Sequence, residues 1–548
     1  MRIAVLVALL VSFGVWFQPN ARQWLVDGCW LLAVGLWVFE VRQISGAPLL
    51  DAQVSRREVV PIAVLIVIFT AAWLPFYDNW RWAYTGDSLA DFGGAIQFRN
   101  SLQNILSIHG IDDTVTWLHI LTYNFLMLII EPTMFWHRVG KLLISCLSLV
   151  AIYAYFAVVL DRWWALTVVF CTATNYVWLW FSHVSYEFID SYIFYFTSLS
   201  LAQLIWWRPD RLGLWMLCGV VGGLSLFFSQ PAWSAVAAVG LVLGTLALRT
   251  RRLTALSIYA ISFLIAGAPI LLQPIPGARA ARVIYDWDYF SSVFMQVLRL
   301  PYTSGFRHIG VLGGFLRSPL SESYVIGVVL AGAGIAPVVR RVLRVPTIAP
   351  VLLALLLWDA ALLTLTNNGY GMPSSKRAYN LIPLQVFFAL LPCYVIYAWC
   401  AGGRVLRRAA ATAIAIAIGV YVVGSVAVIM YPTPGLYGSN SFDGLIELRQ
   451  RFPERRVVFL TSRDVYRTAL VPQGFFDDAY RLLDQVTVES DFSEPTIDHV
   501  CHERSIVCTE LESEHERFDR LLQNHAAALT RFPILNSTSL SCYQCGAQ

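Results

Sequence analysis

Residues 138–181 read RVGKLLISCLSLVAIYAYFAVVLDRWWALTVVFCTATNYVWLWF, two apolar stretches joined by Asp161 and Arg162. Each stretch has the length of about 20 residues that an α-helix needs to cross the hydrocarbon core of a bilayer. We interpret them as two membrane-spanning helices with a short turn between them. Because that turn carries Arg162, we expect it on the cytoplasmic side, where short loops are rich in arginine.

The same pattern recurs along the chain, in which 57% of the residues are hydrophobic and only 14% are charged. It predicts thirteen membrane spans, at 3–18, 24–40, 60–76, 138–160, 163–181, 189–207, 213–229, 233–248, 254–273, 322–340, 347–366, 379–399 and 410–430. The first span has the charge and length of a signal peptide, but no small-residue cleavage site follows it, so we expect a retained helix. The sequence therefore predicts a polytopic α-helical membrane protein.

Clusters of arginine orient these spans. With the N-terminus in the cytoplasm, the cytoplasmic connections carry Arg42, Arg56, Arg57, Arg162, Arg208, Arg211, Arg249, Arg251, Arg252, Arg340, Arg341, Arg344, Arg404, Arg407 and Arg408. The apolar stretch 115–130 would reverse every later loop if it crossed the membrane, so we predict a juxtamembrane helix at the outer interface. The protein is thus expected in a bacterial-type inner membrane, with its C-terminus in the periplasm. Short basic clusters of this kind do not indicate a nucleic-acid partner.

The predicted topology divides the chain into three parts. Residues 1–57 form an N-terminal helical hairpin. Residues 58–430 form a transmembrane core with two long outward loops, 77–137 and 274–321. Residues 431–548 are more polar and are predicted to form a soluble extracytoplasmic domain.

The C-terminal part is predicted to be a small α/β domain. A strand-like run covers 456–460, and an amphipathic helical pattern covers 510–522. Its four cysteines are Cys501, Cys508, Cys542 and Cys545. An even number in an oxidising compartment predicts disulfide bonding, although the sequence leaves the pairing open. A zinc site is the competing interpretation, but the spacing is poor for a zinc module.

The first outward loop carries a carboxylate soon after the span that ends at Phe76. The segment 78–88 reads DNWRWAYTGDS, with Asp87 near its end. A carboxylate at the membrane face is partly shielded from water and can accept a proton from a bound hydroxyl. Alternatively, Asp87 caps the helical run that begins at Leu89.

Three further motifs are predicted at the outer face: Trp117-Leu118-His119, Phe135-Trp136-His137-Arg138, and the segment 375–383, which reads SKRAYNLIP. With Asp87, they make residues 58–430 resemble the GT-C superfamily of polyprenyl-phosphate-sugar-dependent glycosyltransferases. That superfamily includes protein O-mannosyltransferases, aminoarabinose transferases and oligosaccharyltransferases. The resemblance implies a GT-C-like fold, with Asp87 as the acidic residue of the first outward loop.

The resemblance also assigns roles to other residues. Lys376, Arg377 and Arg138 would bind the phosphate of the donor, since cations stabilise the negative charge that grows as the glycosidic bond breaks. The Lys-Arg pair could instead reach lipid headgroups. Candidates for a second acidic residue are Glu187 and Asp190. Candidates for contact with the sugar or acceptor are Trp82, Tyr84, His119, His183 and Tyr379.

The implied activity is transfer of a monosaccharide from a polyprenyl-phosphate donor to a protein, lipid or glycan acceptor, with inversion, on the extracytoplasmic face. The Trp-Trp-Asp-Tyr-Gly motif of oligosaccharyltransferases is absent from the sequence, which favours a single-sugar donor. No cofactor is expected, because Asp112-Asp113 and Asp286-Trp287-Asp288 lack a defined third ligand for a divalent cation. The alternatives are an O-antigen ligase or polymerase that uses a diphosphate-linked glycan, and a lipid-linked sugar transporter or flippase.

Overall fold

The computed structural model describes residues 23–45, 56–73, 134–175, 190–228, 231–271, 319–365 and 381–430. It also describes five strands between Val457 and Cys545, and Ala8, 125–126, 129–130, 178–179, 182, 448, 451–452 and 455.

The described part of the chain is mainly helical. Its α-helices are α1 (Gln23–Ser45), α2 (Arg56–Trp73), α3 (Met134–Val159), α4 (Arg162–Ala173), α5 (Ser191–Trp207), α6 (Leu212–Leu224), α7 (Pro231–Thr250), α8 (Leu253–Leu271), α9 (Pro319–Ala333), α10 (Pro337–Leu343), α11 (Ala349–Leu365), α12 (Ile382–Trp399) and α13 (Arg404–Met430). Short 3₁₀ turns follow α6 at Ser225–Phe227 and α12 at Cys400–Gly402.

Four helices in this part of the chain are long and apolar enough to cross a membrane. These segments are Trp136–Val159, Ala232–Thr250, Ile382–Trp399 and Arg404–Ser425. Shorter apolar helices lie at Val60–Ala71, Leu212–Phe227, Leu253–Ala268, Ser323–Ala333 and Ala349–Leu362. Length and composition therefore agree with a multi-pass membrane protein, while the number of thirteen spans stays a prediction.

Two predicted spans differ from the helices found. The span predicted at 163–181 begins as α4, which ends at Ala173, and the hydroxyl of Thr174 donates a 2.8 Å bond back to the carbonyl of Phe170. The span predicted at 322–340 is divided into α9 and α10. Pro337 lies at the start of α10, where its missing N–H costs nothing, whereas the same residue would interrupt a continuous helix.

The polar break at Asp161 forms the predicted turn between α3 and α4. Its side chain caps α4 by accepting hydrogen bonds from the backbone N–H groups of Trp163 and Trp164. At this level α3 packs against its neighbours through aromatic rings. Phe156 stacks on Phe387 of α12, with ring centroids 5.9 Å apart, and lies 6.1 Å from Phe196 of α5.

Some helices approach so closely that only glycine fits between them. A Cβ atom added to Gly223 of α6 would lie 2.5 Å from the carbonyl oxygen of Phe263 in α8. At Gly219 it would overlap the carbonyl of Tyr259, and at Gly327 of α9 the carbonyl of Phe388 in α12. Small residues permit this close backbone packing inside membranes.

The C-terminal strands form one mixed sheet of order β2-β1-β3-β5-β4. The strands are β1 (Val457–Leu460), β2 (Val486–Glu489), β3 (Ile506–Thr509), β4 (Leu529–Phe532) and β5 (Ser541–Cys545). Strand β1 is parallel to β2 and β3, whereas β5 is antiparallel to β3 and β4. The strand predicted at 456–460 is present as β1. The helix predicted at 510–522 lies outside the described residues.

The sheet register explains one cysteine pair. Cys508 of β3 lies directly opposite Cys542 of β5, and the two form a disulfide. This is one of the pairings that the sequence left open, and it removes both thiolates from the competing zinc interpretation. Cys501 lies outside the described residues.

Candidate functional site

The start of α3 buries three basic side chains. His137 and Lys141 are fully buried and Arg138 is 2% exposed. Residues three and four apart share one face of a helix, so Lys141 lies on the same side of α3 as His137 and Arg138. We call these three residues the α3 basic cluster. The cluster brings a guanidinium group and an ammonium group, both suited to binding an anion, to one side of the helix.

A carboxylate is buried at the start of α5. Asp190 is fully buried and occupies the N-cap position of the helix, yet its side chain makes no capping hydrogen bond. Next to it, the ring of Tyr192 lies 4.7 Å from the ring of Trp178. Of the two candidates for a second acidic residue, the structure therefore describes Asp190 and places it inside the helical core.

Asp190 lies deeper in the bundle than the α3 basic cluster. The contact between Phe156 and Phe196 aligns α3 with α5. At about 1.5 Å of rise per residue, Arg138 lies about 27 Å from that contact along α3, whereas Asp190 lies only about 9 Å from it along α5. The predicted phosphate-binding arginine and this acidic candidate therefore occupy different levels of the bundle.

A second buried carboxylate lies near the middle of the bundle. Asp359 of α11 is 1% exposed, and its Oδ2 atom accepts a hydrogen bond from the hydroxyl of Tyr195 in α5. The neighbouring Trp358 donates from Nε1 to the carbonyl of Ser234 in α7 at 3.0 Å. These two bonds join α5, α7 and α11 at one level.

A further polar link holds α13 against α4. The side-chain amide of Asn175 donates a 2.7 Å bond to the hydroxyl of Tyr421, which in turn donates to the carbonyl of Cys171 at 3.3 Å. Both Asn175 and Tyr421 are buried. This link fixes the end of α4 from which the chain continues toward Asp190.

Several predicted site residues lie outside the described residues. They are Asp87, Glu187, Lys376, Arg377, Trp82, Tyr84, His119, His183 and Tyr379. Their roles stay predictions. Within the described ranges, no group of three or more His, Cys, Asp or Glu side chains is arranged to hold a metal ion.

Sequence reasoning did not single out Lys141, Asp359 or Tyr195. An ionisable residue inside an apolar span is itself a signal of function, because burying it is costly. That signal is present at Lys141, one turn after Arg138, and at Asp359 in the run LLLWDAALL (355–363). Nothing in the sequence indicates that Tyr195 is the residue that meets Asp359.

Comparisons with known proteins give matches at the level of structure. No protein-family model matches the chain, and no curated protein matches it. The chain is similar to the crystal structure of ArnT from Cupriavidus metallidurans bound to undecaprenyl phosphate, with a TM-score of 0.47, 14% sequence identity, and coverage of 89% of this chain and 99% of that one. For the apo state of the same protein the TM-score is 0.46 and the identity 13%, over 88% of this chain and 99% of that one.

A third similar structure is the Archaeoglobus fulgidus oligosaccharyltransferase in complex with zinc and sulfate. The TM-score is 0.43 and the identity 10%, and the match covers 83% of this chain and 69% of that chain. Since all three TM-scores lie below 0.5, the function proposed for this chain is argued from its own residues.

Proposed function

We propose that this chain is an integral membrane glycosyltransferase that transfers a monosaccharide from a polyprenyl-phosphate donor to an acceptor on the extracytoplasmic face. The observation that carries the proposal is the α3 basic cluster, where Arg138 and Lys141 are buried one helical turn apart. Guanidinium and ammonium groups are the side chains that bind phosphate oxygens, and both are present here on one face of α3.

In the proposed reaction, Asp87 takes the proton from the acceptor hydroxyl or amine. The acceptor then attacks the anomeric carbon, and the bond from that carbon to the phosphate oxygen breaks with inversion. The polyprenyl phosphate leaves with the negative charge, which Arg138, Lys376 and Arg377 stabilise. No nucleotide sugar is required, because the donor already lies in the membrane.

Arginine is suited to this task because its guanidinium group offers several donors in a fixed fork to phosphate oxygens. Lys141 adds a point charge from the same face of α3. The proposal therefore extends the predicted donor site from Arg138 to Lys141.

The buried Asp359 favours a second candidate, a transporter or flippase for a lipid-linked sugar. Transporters carry ionisable residues that face the interior of the helical bundle, and Asp359 is buried there and joined to Tyr195. The two candidates differ in what happens to the glycosidic bond. A transferase breaks it, whereas a flippase returns the donor unchanged.

The test is performed with the full chain in proteoliposomes. A polyprenyl-phosphate sugar carrying an isotopic label is supplied together with an envelope extract as the source of acceptors. The transferase hypothesis predicts that wild-type protein releases polyprenyl phosphate and moves the label to the extract, and that Asp87→Asn does not. Movement of intact donor between leaflets without release of polyprenyl phosphate would refute the transferase and support the flippase.

A further inference from the structure

A groove lies between α5, α7 and α11 on the membrane-facing side of the bundle. Its volume is about 650 Å³, within the roughly 300–1,000 Å³ of ordinary ligand pockets. It is lined mainly by apolar side chains, among them Leu199, Trp206, Val242, Val351 and Trp358. Trp206, Val242 and Val351 are 50%, 46% and 59% exposed, so the groove opens where these helices meet lipid.

The groove runs from the middle of the bundle toward the face predicted to be cytoplasmic. Its inner limit is Trp358, at the level of the bonds to Tyr195 and Ser234. Counted from those bonds at about 1.5 Å per residue, the helix ends at Trp207, Thr250 and Ala349 lie about 15–24 Å away. The lining residues that belong to α5, α7 and α11 fall between these two levels.

The mouth of the groove is strongly basic. The connections at 208–211, 249–252 and 337–348 lie at these helix ends, and the structure describes each of them in full. Together they contain eight arginines and a single carboxylate, Asp210. Arg208 is the first residue after α5 ends at Trp207, two positions beyond Trp206, and Arg249 lies two turns beyond Val242 on the same face of α7. Both arginines are exposed.

We propose that this groove binds an anionic phospholipid, with one acyl chain between α5, α7 and α11 and its phosphate at Arg208 and Arg249. The apolar groove matches the acyl chain of such a lipid, and the basic mouth matches its phosphate. Basic pockets between membrane helices at the cytoplasmic side bind anionic headgroups in this way. Short cytoplasmic loops are rich in arginine in most membrane proteins, and this preference is enough to explain the basic residues. It does not explain why an apolar groove leads to them.

This lipid is distinct from the proposed donor. The donor phosphate would lie at the start of α3, whereas the groove opens at the opposite end of the bundle. The inference therefore does not rest on the transferase activity. It concerns a lipid that stays bound and holds α5, α7 and α11 together.

The test is binding of phosphatidylglycerol to the delipidated full chain in detergent, measured by native mass spectrometry, with phosphatidylcholine, a zwitterion of zero net charge, as the reference. Arg208→Ala and Arg249→Ala are each expected to weaken phosphatidylglycerol binding roughly fivefold, since each arginine contributes separately near the headgroup. Arg404→Ala and Arg408→Ala are the matched controls, because these exposed arginines lie at the start of α13, outside the groove.

The acyl-chain half of the site is tested by filling the groove. Ala354 lines the groove and is exposed, so the larger side chain of Ala354→Trp should exclude the acyl chain of the lipid without disturbing the protein core. Phosphatidylglycerol binding should then fall roughly tenfold or more. Val242→Trp provides a second filling variant if the first fails to fold, and Ala411→Trp on α13 is the control.

Three results would overturn the proposal. One is equal affinity for phosphatidylcholine and phosphatidylglycerol. Another is unchanged binding in a folded groove-filled variant. The third is recovery of polyprenyl phosphate as the lipid that Ala354→Trp displaces, which would assign the groove to the donor. These lipid-binding measurements do not depend on transferase activity, so they test the groove even if the proposed function is wrong.

Discussion

The hydroxyl of Tyr195 donates a hydrogen bond to Oδ2 of Asp359, joining α5 to α11 across 164 positions of the chain. Both side chains are buried in the middle of the helical bundle. A carboxylate in such a place is costly unless a donor meets it, so the pair is a specific link between two helices. The pair also distinguishes the two candidate functions, because Asp359 has a proposed role in a flippase and none in a transferase.

Tyr195→Phe should destabilise the protein modestly. It removes the hydroxyl but keeps the ring, and hydrogen bonds between membrane helices contribute about 0.6 kcal/mol on average and about 1.7 kcal/mol at most. Unfolding in detergent with increasing denaturant measures the change. Ser257→Ala is the control, since that exposed hydroxyl bonds only to the carbonyl of Leu253 in its own helix. An equal effect of Tyr195→Phe in an Asp359→Leu background would show that the pair contributes nothing.

Asp359→Asn should leave sugar transfer nearly unchanged if the chain is a transferase. The amide keeps the size of the side chain and can still accept from Tyr195, while no reacting atom is proposed at this level. Movement of lipid-linked sugar across proteoliposomes and transfer to acceptor are measured on the same protein. Loss of movement with Asp359→Asn, in a chain that transfers no sugar, would favour the flippase.

Asp87→Asn should lower turnover by roughly a hundredfold or more, because the amide cannot take the proton from the acceptor. Membrane insertion and donor binding should persist. If Asp87 only caps a helix, turnover should stay near normal, since asparagine caps about as well as aspartate. Single-turnover transfer of a labelled sugar distinguishes the two outcomes.

Lys141→Met and Arg138→Gln should each weaken binding of polyprenyl phosphate by roughly tenfold, because each removes a buried cation while largely keeping side-chain volume. Turnover should fall as well, since the phosphate is present in the ground and transition states. Arg162→Gln is the control, because Arg162 begins α4 just beyond the opposite end of α3. Unaltered donor affinity in correctly folded Lys141→Met protein would remove Lys141 from the donor site.

The disulfide predicts an outcome for alkylation without reductant. Cys508 and Cys542 should resist modification in the folded protein, and peptide mass spectrometry should recover them as one linked pair. The disulfide joins residues 34 positions apart in the sequence. Removing it should lower the free energy of unfolding of the sheet by about 3–4 kcal/mol, because the unfolded chain regains the entropy of that closed loop. Full alkylation of both thiols would contradict the pairing and the oxidising compartment.

The fold could be predicted from the sequence wherever a single local property decides it. Apolar length identified the helices, and Asp161 identified the turn between α3 and α4. The end of α4 at Ala173 and the division between α9 and α10 at Pro337 are local features that an average hydropathy over a whole span does not resolve. The site was less predictable, because the partner of Asp359 is 164 residues away and only packing brings it there. Likewise, the register of β3 and β5 selects Cys542 for Cys508.

The glycine contacts between α6 and α8, and between α9 and α12, bear on how related sequences can vary. Any side chain at Gly219, Gly223 or Gly327 would collide with a backbone carbonyl of the adjacent helix, so a substitution requires two helices to move at once. Lipid-facing positions beside them have no such restriction. During divergence these three glycines should therefore change far more slowly than their neighbours, and they would mark the chain's relatives after most other similarity has been lost.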